Sequence, residues 1–190
     1  MSDDRAKWDS RYRCAASPGE PARVLTEHAH LLPAAGRALD LACGLGANAL
    51  FLAGHGLEVE AWDLSPVAID HLAREARTRN AAVRARCRDV LAEPPEAGSF
   101  DVVVVSRFLD RRLAPSIAAA LRPGGLVYYQ TFTRERVDQT GPSDDAYRLG
   151  DNELLHLFPR LRLLAYREEG RVGHLTRGFR NEAYLVGQRR

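Results

Sequence analysis

Short, almost wholly apolar runs alternate along this chain with longer segments that are apolar every third or fourth residue. Residues 38–39 with 41–42 (AL and LA around Asp40) and residues 100–105 (FDVVVV) have the near-continuous hydrophobicity of strands buried on both faces. Leu57, Val59 and Ala61 alternate into another strand that closes at Asp63. Further strands are predicted over 82–88 (ending at Asp89), 126–133, 161–167 and 182–188. Helical spacing fills the gaps. Asn48 is placed to cap a helix through 49–53 that His55-Gly56 ends, and Ser65-Pro66 opens a helix running to about Asn80. Helices are also expected over 20–32, over 113–121 (stopped by Arg122-Pro123-Gly124-Gly125), and over 153–158 with Asp151 as cap. Residues 134–150 are polar without periodicity, the pattern of a lid loop carrying Tyr147. Strand and helix alternate throughout, which predicts an α/β fold with a doubly wound, mostly parallel sheet.

The first strand, glycine turn and helix read Asp40-Leu41-Ala42-Cys43-Gly44-Leu45-Gly46. Glycines there let the backbone turn tightly and approach a ligand, since any side chain would fill that space. Asp63 lies nineteen residues beyond Gly44, about the spacing at which an acid reaches a nucleoside ribose. Asp40 decides which nucleoside. A pyrophosphate at this turn would be repelled by an upstream carboxylate, whereas an ammonium or sulfonium would be attracted. Two acids flanking a glycine turn therefore suit a cationic amino acid joined to a nucleoside, a description met by S-adenosylmethionine.

On D-L-A-C-G-L-G, E-A-W-D-L-S and the later motifs, the chain resembles the class I S-adenosylmethionine-dependent methyltransferases. G-x-x-V-x-A-W-D with N-A-x-F-L-A upstream is similar to the tellurite-resistance and thiopurine methyltransferase group. The resemblance implies a Rossmann-like sheet of order 3-2-1-4-5-7-6 with its last strand antiparallel. It implies one domain: N-terminal cofactor-covering helices over 1–35, a cofactor-binding core over 36–133, and a substrate-side loop and hairpin over 134–190. In the core, Asp40, Ala42, Cys43, Gly44, Gly46 and Asn48 would form the cofactor turn. Asp63 with Leu64 would hold the ribose, Asp89 the adenine amino group with Val90 at the ring edge, and Ser106 would also belong to the cofactor-binding set. Trp8-Asp9-Ser10-Arg11-Tyr12 resembles the W-x-x-R-Y opening of small bacterial methyltransferases; Trp8, Arg11 and Tyr12 would then fold over the cofactor, Arg11 on its methionine carboxylate. Such a helix also reads simply as one packing its aromatics on the body.

The acceptor is less constrained. After the fourth strand stands Ser106-Arg107-Phe108-Leu109-Asp110, without the N/D-P-P-[YF] of many amino-group methylating relatives, which disfavours base or glutamine N-methylation. A thiol or chalcogen oxyanion needs no general base. His28, His30, His55, His71 and His156 fall on predicted helices away from the strand ends, and only His174, on the last hairpin, is placed to face the site. Arg107 is the candidate for orienting an anionic acceptor, with Arg111 and Arg134 behind it. Competing readings are a non-catalytic S-adenosylmethionine-binding regulator and an NAD-dependent oxidoreductase. The second is disfavoured by Asp40 and by the lack of a Tyr-x-x-x-Lys, Lys7 being the only lysine.

Composition excludes more than it selects. In 190 residues, 45% hydrophobic and 27% charged composition is globular. A formal charge of +2 with no clustered basic face gives no expectation of nucleic acid. The arginine and alanine bias suggests a GC-rich bacterial source. Cys14, Cys43 and Cys87 include no CxxC pair, so neither a disulfide framework nor a metal site is expected, and the compartment expected is the reducing cytoplasm. The N-terminus is charged from residue 3, unlike a secretory signal, and no apolar run approaches the ~20 residues that span a membrane. A monomer or weak homodimer acting on a small molecule is the expected form.

Overall fold

In the computed structural model, which describes residues 2–14 and 17–190, seven strands form one sheet. They are β1 (Arg37–Leu41), β2 (Glu58–Asp63), β3 (Val83–Cys87), β4 (Phe100–Ser106), β5 (Leu121–Phe132), β6 (Arg162–Glu168) and β7 (Glu182–Gln188). Their order is β3-β2-β1-β4-β5-β7-β6, with β7 antiparallel to both neighbours. The expected order and the antiparallel hairpin are thus both present. The helices are α1 (Ser2–Arg13), α2 (Arg23–Glu27), α3 (Ala47–Gly54), α4 (Pro66–Thr78), α5 (Ala114–Ala120) and α6 (Glu153–Leu157). Among the described residues, no helix is long and apolar enough to cross a membrane.

Alternation of side chains across each strand divides the core in two. One face sends Leu39, Leu41, Val103, Val105, Val127, Tyr129 and Leu185 against α5 and α6. The other sends Ala38, Val102, Val104, Tyr128, Tyr184 and Val186 against α2, α3 and α4. Val102 to Val105 are wholly buried, which explains the unbroken apolar run of β4: both faces are covered. Each such valine contributes about 1.5–3 kcal/mol on burial. Ser65 caps α4 as expected, its Oγ accepting from the Ala68 N–H at 3.3 Å.

Several boundaries differ from the sequence reading. Residues 20–32 split into α2 and a 3-10 turn at Ala29–Leu31. Arg122-Pro123-Gly124-Gly125 does not separate helix from strand. Leu121 already pairs with Phe100, and the four residues bulge out before Leu126 resumes the ladder at Val102. Asp151 does not cap α6; Asn152 takes the cap position in a left-handed conformation (φ 57°) without a side-chain bond. Asn48 is likewise not the cap of α3, because Gly46 (φ 84°) stands there and Asn48 lies inside the first turn. Residues 134–150 hold a 3-10 turn at Asp145–Tyr147 and close around the wholly buried Arg148. The Arg148 guanidinium donates to the carbonyls of Pro142 at 2.7 Å, Thr133 at 2.9 Å and Thr140 at 2.6 Å, so this segment is pinned from within.

Candidate active site

The site begins where β1 ends. Ala42, Gly44 and Gly46 all have left-handed backbones (φ 57°, 53° and 84°), so the chain coils tightly between β1 and α3. Asp40 is 1% exposed, and its Oδ2 accepts from the Ala49 N–H at 2.9 Å, near the start of α3. A carboxylate is favoured at a helix N-terminus. Its Oδ1 has no partner, although burial raises the cost of leaving it bare. That burial pushes the Asp40 pKa up to about 7, against the opposing pull of the Ala49 N–H and the Asn48 side chain.

Asp63, at the end of β2, ties the two halves of the turn together. Its Oδ2 accepts from the Gly44 N–H at 2.8 Å and its Oδ1 from the Ser65 N–H at 2.9 Å. Burial raises its pKa too, with the nearby Asp9 adding to the effect. Cys43 is buried, donates only to its neighbour's carbonyl, and burial raises its thiol pKa well above the usual range, so it is an inert spacer.

α1 lies over this turn. A Cβ built on Gly44 would meet the Tyr12 hydroxyl at 2.9 Å, so Tyr12 roofs the glycine directly. Burial, and then Asp63, raise the Tyr12 pKa and keep the hydroxyl protonated. Asp9 accepts a hydrogen bond from Ser65 Oγ, fastening α1 to the start of α4. Trp8 stacks on Tyr12 (5.8 Å between centroids), and the Arg11 guanidinium sits 5.4 Å from the Trp8 ring. Arg5, Trp8, Asp9 and Tyr12 recur at helical i, i+3, i+4, i+7 spacing, a face the sequence already displayed. Arg5 and Asp9 were nevertheless not anticipated as site residues.

Beside this roof opens a cleft of ≈ 560 Å³, lined by Arg5, Ala6 and Asp9 from α1, Leu64 after β2, and Cys87, Arg88, Asp89 and Glu93 after β3. It lies at the carboxyl ends of parallel strands, where open α/β sheets bind ligands. Leu64 and Asp89 both line it. Asp89 Oδ1 accepts from the Leu91 and Ala92 N–H groups at 2.9 and 3.3 Å, shaping the next turn. Val90 does not line the cleft: its side chain is buried in the core with Trp62 and Leu113. Asn48 bridges outward, its Oδ1 accepting from the Ala22 N–H at 2.8 Å while its side chain also favours the ionised Asp40. Gly46 is required by packing, since a Cβ there would meet Leu72 of α4 at 2.3 Å.

Ser106 ends β4, which lies across β1 from β2 and β3, and Arg107 follows it. Arg107 has a left-handed backbone (φ 53°), and its guanidinium pairs through Nε with Glu182 Oε1 at 3.0 Å. Glu182 also accepts from the Gln130 side chain. Neither partner was anticipated, though Gln130 is a polar residue inside the apolar run of β5 and Glu182 opens β7. Arg111 is bound to Glu153 and to the Ala146 and Arg148 carbonyls, a brace for the 134–150 segment. His174 stands in the exposed loop before β7 beside Thr176.

The donors fit a cationic nucleoside. An orphaned buried carboxylate oxygen on Asp40 and a glycine turn roofed by Tyr12 adjoin Asp63, which Asp9 of the cleft lining neighbours.

Residues 38–125 match the model of a methyltransferase domain. Ubiquinone biosynthesis O-methyltransferases are similar to this chain. That of Burkholderia ambifaria is 34% identical over 114 residues, 56% of this chain and 48% of the relative. That of Coxiella burnetii is 29% identical over 101 residues, 50% and 43% respectively. The chain thus spans less than half the length of these curated relatives. The crystal structure of TehB from Haemophilus influenzae superposes with a TM-score of 0.72 at 21% identity, covering 98% of this chain and 67% of that one. Residues 38–125, just under half of the chain, thus resemble a methyltransferase domain, and the chain shares the fold of the TehB structure.

Proposed function

We propose that the protein is an S-adenosylmethionine-dependent methyltransferase acting on a small-molecule thiol or chalcogen oxyanion. The observation that carries the cofactor half is the buried, unpartnered Asp40 Oδ1 beside the Gly44 cradle. When bound, S-adenosylmethionine supplies a methyl group on a positively charged sulfur, and the chemistry of transfer is largely the cofactor's. The residues bind, align and exclude water. Asp40 and Asp63 favour the cationic form, Asp63 and Asp89 face the nucleoside, and Trp8, Arg11 and Tyr12 close over it, Arg11 reaching the carboxylate. Arg107 orients the acceptor at the carboxyl end of β4.

The acceptor half rests on how the polar groups there are already spent. Glu182 accepts from both Arg107 and Gln130, and the Tyr129 hydroxyl donates to the Phe108 carbonyl at 3.0 Å. Each of these polar groups already has a hydrogen-bond partner, so none of them is free to act as a base. An acceptor already anionic near neutral pH needs none. The relatives' names favour a second reading, an oxygen acceptor, which would have to enter already ionised. Three free cysteines agree with a reducing, cytoplasmic setting.

Calorimetry with S-adenosylmethionine, S-adenosylhomocysteine and NAD, followed by a methyl-transfer screen over thiols, selenite, tellurite and phenols, tests the proposal. Tight NAD binding would overturn the cofactor half; cofactor binding with no turnover on any acceptor would favour a regulator. Asp63→Ala is expected to weaken S-adenosylmethionine about ten- to a hundredfold, as charge-assisted bonds worth roughly 1.5–3 kcal/mol are lost. It should also lower Tm, because the Gly44 and Ser65 N–H groups lose their acceptor. Unchanged affinity in folded Asp63→Ala would refute the ribose assignment. Arg107→Ala should lower acceptor kcat/KM and leave cofactor affinity nearly constant, with Arg107→Lys a partial rescue. Equal kcat/KM on every acceptor in the screen would remove Arg107 from the site.

A further inference from the structure

Gln130 and Glu182 lie on the same sheet face as Asp40, and both are buried, at 3% and 8% exposed. A buried amide and a buried carboxylate are costly unless hydrogen-bonded. Here they form a relay with a direction. The Val24 N–H donates to Gln130 Oε1 at 2.8 Å, the Gln130 side-chain amide donates to Glu182 Oε2, and Arg107 Nε donates to Glu182 Oε1 at 3.0 Å. The amide accepts at one atom and donates at the other, and the carboxylate accepts at both oxygens. The direction of the chain thus dictates both residue types.

Arg107 is fixed by its backbone as well, its N–H donating to the Gln130 carbonyl at 2.8 Å in the left-handed region. That conformation is uncommon for arginine, and such strain gathers at ligand sites. With Nε taken, the two terminal nitrogens have no partner among the described residues, and the side chain is 65% exposed. Two parallel N–H donors on one guanidinium edge match a carboxylate.

We propose that Gln130 and Glu182 are positioning residues of the acceptor site, holding Arg107 by Nε so that its terminal edge receives a carboxylate carried by the methyl acceptor. This rests on the methyl-transfer reading and narrows it to a carboxylate-bearing thiol or chalcogen compound. The relay also runs to the first turn of α2, which Asn48 of α3 holds through Ala22, so Arg107 is referenced to the cofactor helix.

The test is a double-mutant cycle read by calorimetry, in protein saturated with S-adenosylhomocysteine. The probes are 2-sulfanylbenzoate and thiophenol, which differ by one carboxylate. The carboxylate compound should bind about tenfold tighter to the unmodified protein, and Arg107→Ala should erase the difference. Gln130→Met should weaken 2-sulfanylbenzoate about tenfold when Arg107 is present and not at all in the Arg107→Ala background, since a residue acting through another falls silent once that one is gone. A purely structural Gln130 would give the same loss in both backgrounds, which would overturn the inference, as would equal or undetectable binding of the two probes. Gln130→Glu still accepts from Val24 and serves the same cycle if the Met variant does not fold. Failure of the methyl-transfer reading itself would appear separately, as absence of S-adenosylhomocysteine binding, and would take this inference with it.

Discussion

Gly44→Val is expected to abolish S-adenosylmethionine binding in a protein that still folds. Two independent effects act at this position. The backbone is left-handed (φ 53°), a region a β-branched residue adopts only under strain. A Cβ there would also stand 2.9 Å from the Tyr12 hydroxyl, so the side chain would push α1 off the turn and fill the space beneath it. Left-handed strain costs about 1–3 kcal/mol, to which the displaced packing of Tyr12 is added, so Tm should fall by several degrees. Only the far end of the Tyr12 side chain stands against Gly44, and that ring can swing aside, which is why the fold should survive. Calorimetry and thermal denaturation check both parts. Normal affinity at an unchanged Tm would mean that the glycine turn faces away from the ligand. Gly46→Val gives a contrast: it should damage folding first, through the clash with Leu72.

The second large effect couples binding to pH through Asp40. Its pKa stands near 7 in the folded protein, against 3.8 as the ordinary value, because burial disfavours the ionised form. The folded state therefore holds a proton that the unfolded state has released, and stability falls as pH rises between about 4 and 7, then levels. Ligand affinity should run the opposite way. The ionised carboxylate attracts a cation, so S-adenosylmethionine affinity should rise from pH 6 to pH 8. Asp40→Asn separates the two. It keeps an acceptor for the Ala49 N–H and removes the charge, so it should weaken S-adenosylmethionine about ten- to a hundredfold at pH 8 and flatten the pH dependence. Without ligand at pH 8, the same variant should be more stable by on the order of 1 kcal/mol, or a few degrees in Tm, and the gain should vanish near pH 5. If Asp40→Asn destabilises the ligand-free protein at pH 8 as much as at pH 5, the carboxylate is a structural anchor and not a site built for a cation.

The strands, their order of appearance and the first glycine turn were legible because each is a local pattern. FDVVVV can be only a strand covered on both faces, and Ser65-Pro66 caps and opens α4 by short-range chemistry alone. The acids Asp40 and Asp63 were legible for the same reason, since the ends of consecutive parallel strands in one βαβ unit must lie side by side. The sheet order beyond that unit came from family resemblance, because periodicity carries no information on which strands pair.

What only the tertiary structure decided depends on groups that meet through space. That Gly46 answers to Leu72, that Val90 turns into the core and that Asn48 holds Ala22 follow from how α2 and α4 pack on the sheet. In the sequence nothing sets Arg148 apart from the chain's other arginines. It is the centre of the 134–150 segment, because three carbonyls left without strand partners needed a buried donor. Gln130, Glu182 and Arg107 are separated by 23 to 75 residues, and each in isolation reads as an ordinary polar residue. Desolvation makes their alignment obligatory once the β5–β7 pairing buries them, and that pairing joins parts of the chain more than fifty residues apart.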